Sequence, residues 1–377
     1  MSSRAIYSRA GLPAAALLAF GFLGAGSLGA QAVSPKINLP KDSPVAVVSM
    51  DWSQSRATPR GGAYLVDVHA SLSLRNSSSK RIRGVTLAVL AQEVTPGGKG
   101  AVSVPSLNVA PGDAFPVRID LPLLRPIGTS QSSAPTVEVR LDGVLFDDLS
   151  FYGPDNLHSQ RNMTVWELEA RRDRKYFKNL LETGGPKALQ HEMLDSLARQ
   201  ADLPRPGVQM VRGRSTNTDP EHQLQFAFLA VPDAPVEPAS GTAQITANEA
   251  SQPRFEVRNR SKRPVQFLEI GWIVRDQRGN QFLAASLPAE VNLAPGQSGE
   301  VAQDAALRFS PRTSIQSMSG FVSQVQFADG SYWIPSRKVL EQLHLNTIVA
   351  PSPEEQRLSH IYSKKGLDAL VEELKKF

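Results

Sequence analysis

At 377 residues, 41% hydrophobic and 20% charged, the chain has the composition of two or three folded domains and not of a disordered segment. Its 41 basic and 36 acidic residues leave a net charge of +5, too mild to point to nucleic acid as a partner. The absence of cysteine excludes thiolate nucleophiles, cysteine-bound zinc and disulfide staples, so stability must come from packed cores.

In chain order, the first element is a leader. Arg4 and Arg9 form a positive region, Ala14 to Gly24 is apolar, and Ala30-Gln31-Ala32 is a small-residue cleavage site before Val33. Residues 1–32 therefore read as a general secretory signal peptide cut after Ala32, which places the mature protein in the periplasm or outside the cell. Removing Arg4 and Arg9 leaves 39 basic against 36 acidic residues. No later segment is long and apolar enough for a transmembrane helix.

A Pro-rich lead, Val33 to Pro44, is followed by strand-like runs at Val45–Met50, Tyr64–Leu74, Ile82–Val94, Ser103–Val109, Phe115–Leu121, Val137–Leu141 and Val144–Phe151. Period-two alternation with polar turns between the runs predicts a β-sandwich over 44–155. Residues 161–203 predict a helical hairpin, with Trp166, Phe177, Leu180 and Leu181 near one face. Gly184-Gly185 stops the first arm, Pro186 starts the second, and Leu189, Met193, Leu194 and Leu197 follow at helical spacing. A second sandwich is predicted over 207–340, opening with a strand at His222–Val231 and a Pro/Ala/Ser-rich loop at Pro232–Gly241. The tail, 352–377, starts with Ser352-Pro353-Glu354-Glu355 as a helix cap and carries an apolar stripe of Leu367, Leu370, Val371, Leu374 and Phe377. The expected fold is thus mainly β: two Ig-like β-sandwich domains, an intervening helical hairpin and a C-terminal helix.

The two sandwiches share landmarks in the same order. Arg75-Asn76-Ser77-Ser78 with Lys80-Arg81 corresponds to Arg258-Asn259-Arg260-Ser261 with Lys262-Arg263. Val85, Leu87 and Val89 correspond to Leu268, Ile270 and Trp272, and Ala110-Pro111-Gly112 to Ala294-Pro295-Gly296. Asp142-Gly143 is matched to Asp329-Gly330 as a common turn. An internal repeat is expected.

The second copy, from Phe255-Glu256-Val257-Arg258-Asn259 through Trp272-Ile273-Val274-Arg275-Asp276 to Leu293-Ala294-Pro295-Gly296, resembles the FxLYD-type domain, a small Ig-like β-sandwich of exported bacterial proteins. Only the final Asp of that family's Phe-x-Leu-Tyr-Asp is kept, and the first copy has Gln92-Glu93 in its place. The resemblance implies a fold and carries no catalytic residue with it.

Motifs for chemistry fare poorly. Gly24, Gly26 and Gly29 form a G-x-G-x-x-G inside the leader, where it follows no strand. Ser77-Ser78-Ser79-Lys80 is an S-x-x-K set in a hairpin instead of the helical turn it needs, and Gly296-Gln297-Ser298-Gly299 misplaces the glycine of a nucleophile elbow. The six histidines stand singly. One feature is repeated: the turns of both copies are basic, with Arg75, Lys80, Arg81 and Arg83 in the first and Arg258, Arg260, Lys262 and Arg263 in the second. Those cations are candidates for contact with an anionic envelope surface, and the terminal stripe for contact with a protein; the bland alternatives are solvated hairpins and packing within the chain. The sequence therefore predicts a non-enzymatic exported binding or structural protein, without cofactor or metal, whose partner is an unknown protein or envelope surface. The rivals are an exported hydrolase or carbohydrate-active enzyme, with its site at the helical insert or domain junction, and a periplasmic chaperone-like carrier.

Overall fold

The computed structural model describes residues 31–127, 135–204, 207–212, 222–246, 248–310 and 313–377. The leader up to Ala30, with its G-x-G-x-x-G, lies outside the described residues, as do Arg205 and Pro206. The protein is mainly β, with one long broken helix in the middle and another towards the C-terminal end. No helix among the described residues is long and apolar enough to cross a membrane. The described chain divides into two compact units, one ending at Glu167 and the other running from Leu168 to Phe377.

The first unit is sandwich-like. Its strands are β1 (Gln31–Ala32), β2 (Ser34–Asn38), β3 (Val45–Asp51), β4 (Arg56–Arg60), β5 (Ala63–Asn76), β6 (Ile82–Leu90), β7 (Lys99–Val104), β8 (Ala114–Pro126), β9 (Thr136–Phe146) and β10 (Phe151–Tyr152). In one sheet β5 pairs β8 on one side and β3 and β4 on the other, with β1 beyond β4. The second sheet runs β10-β9-β6-β7, with β2 parallel to β9. Alternation sets the faces: Val66, Val68, Ala70, Leu72 and Leu74 of β5 point into a core that Val85, Leu87 and Val89 of β6 enter from the opposite layer. The outer face of β6 is also covered. A Cβ at Gly84 would come within 2.9 Å of the Met163 sulfur, so the small residue is what lets a helix lie there.

The strands of the second unit are β11 (Gly207–Arg212), β12 (His222–Phe228), β13 (Val236–Ile245), β14 (Glu249–Asn259), β15 (Val265–Asp276), β16 (Gln281–Leu293), β17 (Ser298–Ala302), β18 (Ala305–Ser310), β19 (Ile315–Phe327) and β20 (Tyr332–Trp333). They form one hydrogen-bonded sheet folded around a single core. Strand β12 makes the link, pairing with β13 through Phe226 and then running parallel to β19 at Ala227–Phe228. In the first unit β1 and β2 make the same step, from β4 to β9. Trp272 is at the centre of the second core. Phe226 meets its ring at 4.8 Å, and its indole N–H donates to Gln303 Oε1 at 3.2 Å, so no buried donor is stranded.

The two units share register in one central strand pair and part of their strand order. In β6–β9, Ile82 faces Phe146, Thr86 faces Gly143 and Leu87 faces Leu141, with irregularities between Ile82 and Gly84 and between Thr86 and Leu87. In β15–β19, Val265 faces Phe327, Glu269 faces Gln324 and Ile270 faces Val322, with irregularities at the corresponding two steps. A bulge shifts every later side chain to the other face, so matching bulges keep matching faces buried.

Three expectations are corrected. Asp142-Gly143 is not a turn; it lies within β9 at the bulge, and the counterpart of Asp329-Gly330 is Asp148-Leu149. The stretch Pro232–Gly241 is not all loop, because β13 starts at Val236. Pro238 is tolerated where the strand has β14 on one side and no ladder partner on the other. The Pro-rich lead contains β2, a five-residue strand paired in parallel with β9, too short and proline-bearing to stand out as a strand.

Helix α1 (Ser159–Asp202) is broken at Gly185, whose φ of 73° and ψ of −176° are not helical. Helix α2 (Arg337–Gln342) is short. Helix α3 (Pro353–Leu374) is capped by Ser352, which accepts from the Glu355 N–H, and is broken at Gly366 with φ 83°. Arms of α1 and α3 share a third apolar core, built on Phe177, Leu189, Met193, Leu358, Leu370 and Leu374.

Leu149 has φ 66°, where its counterpart Gly330 has φ 80°. A left-handed conformation costs a residue with a Cβ about 1 kcal/mol, and Leu149 belongs to no core. Leu149→Gly is expected to raise the melting temperature by a few degrees; an unchanged or lower value would show that its side-chain contacts matter more.

Candidate functional site

The most elaborate polar arrangements in the β units are the two basic turns. Asn76 is buried at the end of β5, and its Nδ2 donates to the Lys80 and Val109 carbonyls at 2.8 and 3.1 Å. Its Oδ1 accepts from the Ser78 N–H at 3.0 Å and the Ser78 hydroxyl at 2.7 Å. Asn259 repeats the pattern: Nδ2 donates to the Arg263 and Leu293 carbonyls at 2.8 and 3.1 Å, and Oδ1 accepts from Ser261 N–H and Oγ at 2.9 and 2.8 Å. The cation two residues on is then folded back. Lys80 Nζ donates to Asp148 at 2.7 Å and to Ser150 at 2.9 Å, above the Phe146 ring. Arg263 donates to Asp329 at 2.8 Å and to Ser331, with its guanidinium 3.8 Å above Phe327. The Ser331 N–H, then its hydroxyl and the Arg263 guanidinium, hold the Asp329 carboxyl at about 2. The Asp148 carboxyl is likewise held well below its usual range, by Lys80 first.

These contacts decide what the basic residues can offer. Lys80 and Arg263 are occupied internally. Arg81 and Arg83 share the Asn108 side-chain oxygen at 3.1 and 2.9 Å, and Arg83 also faces Glu167 at 3.8 Å. Arg260 lies 3.6 Å from Glu237. Arg75, Arg258 and Lys262 are exposed, the first two at equivalent places on the outer faces of β5 and β14.

The terminal stripe is largely buried. Leu370 and Leu374 lie within the helical core, Leu367 and Val371 pack against it, and the Phe377 ring sits 4.2 Å from the Arg174 guanidinium. Around this core is a charge cluster that sequence reading missed. Arg337 donates to Glu355 at 2.7 Å and Glu192 at 2.8 Å, and its plane lies 4.1 Å from the Tyr176 ring. Arg199 reaches Glu192 and Glu355 at 3.0 and 3.2 Å, Ser196 donates to Glu355 at 2.6 Å, and Ser352 donates to Asp173 at 2.6 Å. Burial pushes the Glu355 carboxyl up, but Arg337, the Ser196 hydroxyl and Arg199 together outweigh it and keep the carboxyl below its ordinary value. Opposite charges meet here with hydrogen bonds on most sides, which is how a protein interior carries charge.

Glu169 is different. Although an edge of its side chain reaches solvent, burial pushes its carboxyl up to about 7, with Asp173 and Glu269 adding to the shift and Arg172 opposing it. A carboxyl near 7 can serve as an acid or a base, yet the same value follows from burial beside other carboxylates alone.

Strand β3 presents an open apolar edge. Strand β3 pairs with β5 on one side and with no strand among the described residues on the other. Val48 and Met50 are 48% and 52% exposed, and Val47 38%. The equivalent strand edge in the second unit carries Glu237 and Pro238 where β3 has Ala46 and Val47. Proline and charge are the usual guards of an edge, and β3 has only its bulge at Val48 and one charge, Asp51, at its end.

No family model matches the chain, and no curated protein does. Among solved structures it is similar to a chain of the infectious bursal disease virus Gx strain, at 13% identity and a TM-score of 0.17. The match covers 74% of this chain and 58% of the viral one, so the chain spans less than two thirds of that relative; a likeness this faint carries no argument.

Two outcomes follow. Asn259→Ala or Asn76→Ala removes the buried amide that joins the turn to the neighbouring segment by several hydrogen bonds at once, and is expected to cost about 2–3 kcal/mol in denaturant unfolding. The ionised Glu169 opposes folding: its penalty is absent below the ordinary value of 4.5 and complete above about 7. Glu169→Gln should therefore stabilise the protein at about pH 8 and leave it unchanged at about pH 4, in paired thermal melts.

Proposed function

We propose that the protein is an exported, non-catalytic binding or structural protein of the cell envelope, built from two copies of one Ig-like module, the second of the FxLYD type. The leader read over residues 1–32 supports export to the periplasm or beyond. The shared register of β6–β9 and β15–β19, and the two asparagine turns, support duplication. Half of the turn cations, Lys80, Arg83, Arg260 and Arg263, meet a carboxylate of their own unit, which favours a protein partner ahead of an anionic surface.

The observation that carries this reading is the open edge of β3. An exposed strand with apolar side chains and unpaired backbone groups is suited to accepting a further strand from another polypeptide, with main-chain hydrogen bonds giving affinity and the side chains selecting the partner. The same edge favours the related reading of a carrier that holds extended segments and releases them.

A Val48→Lys, Met50→Lys double variant keeps its melting temperature in this account, because both side chains already face solvent. It is expected to lose on the order of ten-fold or more of the binding that the wild-type protein shows to envelope proteins. Equal binding by the variant, or a turnover abolished by Glu169→Gln, would count against it. Sequencing the mature N-terminus should find Val33 first, a cut that removes Gln31 and Ala32 and with them the β1 pairing to β4.

A further inference from the structure

The helical core has an internal symmetry. Its six buried members fall into three pairs at one interval: Phe177 with Leu358, Leu189 with Leu370, and Met193 with Leu374. Leu181 and Tyr362 at its rim continue the series, as do the two glycines at which the helices break, Gly185 and Gly366. The interval is 181 residues, the same that separates Asp148 from Asp329 and Ser150 from Ser331 in the turns of the β units. No insertion or deletion is needed to keep step from there to the end of the chain. Helix breaks, core positions and turn contacts therefore belong to one alignment.

Contacts across the core are paired in the same way. The Ser196 hydroxyl donates to Glu355 at 2.6 Å, and the residues equivalent to these two, Phe377 and Arg174, stack at 4.2 Å. Asp173 and Glu354 are equivalent, both fully buried, and each faces a guanidinium, Arg337 at 3.7 Å and Arg174 at 3.4 Å, but the two arginines are not each other's equivalents, so these contacts are alike in kind and not reciprocal. The Ser196–Glu355 contact and its equivalent in reverse, Phe377–Arg174, together with the paired core positions, are the pattern of a two-fold association. The second copy departs in one respect. Pro351 and Pro353 stand in the places of Ala170 and Arg172, so its helix cannot run unbroken from Arg337 as α1 does from Ser159.

We propose that the glycine-broken helix pair is a docking element of each half of the chain, and that its partner is the helix pair of a second such half. In this protein the two halves of one chain satisfy each other, leaving a pseudo-dimer joined by a covalent link. The chemistry is specific: an apolar centre flanked by buried charges of opposite sign. It also permits self-recognition, because in a pair of first-half helices Arg174 of one copy would meet Asp173 of the other. The proposal stands apart from the binding reading, since a β3 edge that captures nothing leaves it unaffected.

The test uses the full chain with a protease site inserted between Pro204 and Gly207, cut after folding and followed by gel filtration and native mass spectrometry. The two fragments are expected to stay together at micromolar concentration. Leu370→Asp should release them. Arg174→Glu, which sets a carboxylate against Glu354, should weaken the complex on the order of ten-fold or more, while the uncut variant keeps its circular dichroism. The fragment ending at Pro204, released from the Leu370→Asp protein with its own helix pair intact, should then dimerise. Native fragments that part on cutting, fragments held equally well in both variants, or a released first half that stays monomeric would each overturn the proposal.

Discussion

The β units depend on one constraint: a chain that leaves one sheet for the next must bury its backbone groups with partners. At the end of β5 and of β14 a buried asparagine does much of this, alongside main-chain and serine donors. Asn76 joins the carbonyl of its own turn to that of Val109, and Asn259 does the same for Arg263 and Leu293. An amide has the two donors and the acceptor this place needs; aspartate would lack the donors and leucine would lack both. The serine two residues on, the folded-back cation and its aspartate then build outward from that point. Charge in these turns is thus recruited first to close the β unit on itself.

The helical part solves a different problem with similar means. Its apolar stripes are short, and the helices are interrupted by glycines in the left-handed region, so no arm would be stable alone. Packing of α1 against α3 supplies a core, and the surrounding carboxylates and guanidiniums compensate one another at its rim. Such a cluster is weak evidence for stability, since the same volume filled with apolar residues would hold at least as well. What it adds is selectivity. A misregistered pairing would leave Asp173, Glu354 or Glu355 buried without a cation, and that cost discriminates between arrangements that hydrophobic packing alone would accept.

The surface is less symmetric than the interior. Where the second unit places Glu237 and Pro238 at its edge, the first has Ala46 and Val47 beside the exposed Val48 and Met50. Core positions in the two units answer to the same packing and keep matching bulges. Edge positions answer to whatever lies outside, and there the two units differ. A difference of that kind, in a protein whose buried charges are mostly paired, is the reason to look for function at the edge of β3.

Much of this was legible locally. Alternation in β5 and β6, the asparagine-serine-cation turns, the Gly185 break and the Ser352 cap all follow from residues within a few positions of one another, because side-chain period, turn geometry and capping are short-range physics. Asp142-Gly143 misled because an Asp-Gly pair suits a turn and a bulge alike, and only pairing with Thr86 and Leu87 decides between them. The burial of Leu370 and Leu374 was readable as a need, but not its answer, and the ion cluster left no local trace: Arg337 and Glu192 are 145 positions apart, Ser196 and Glu355 159, Ser352 and Asp173 179. The amino-acid sequence by itself determined which elements form and which faces are apolar. Tertiary structure alone decided which faces and charges meet, because those choices are made by contacts between segments that carry no mark of each other along the chain.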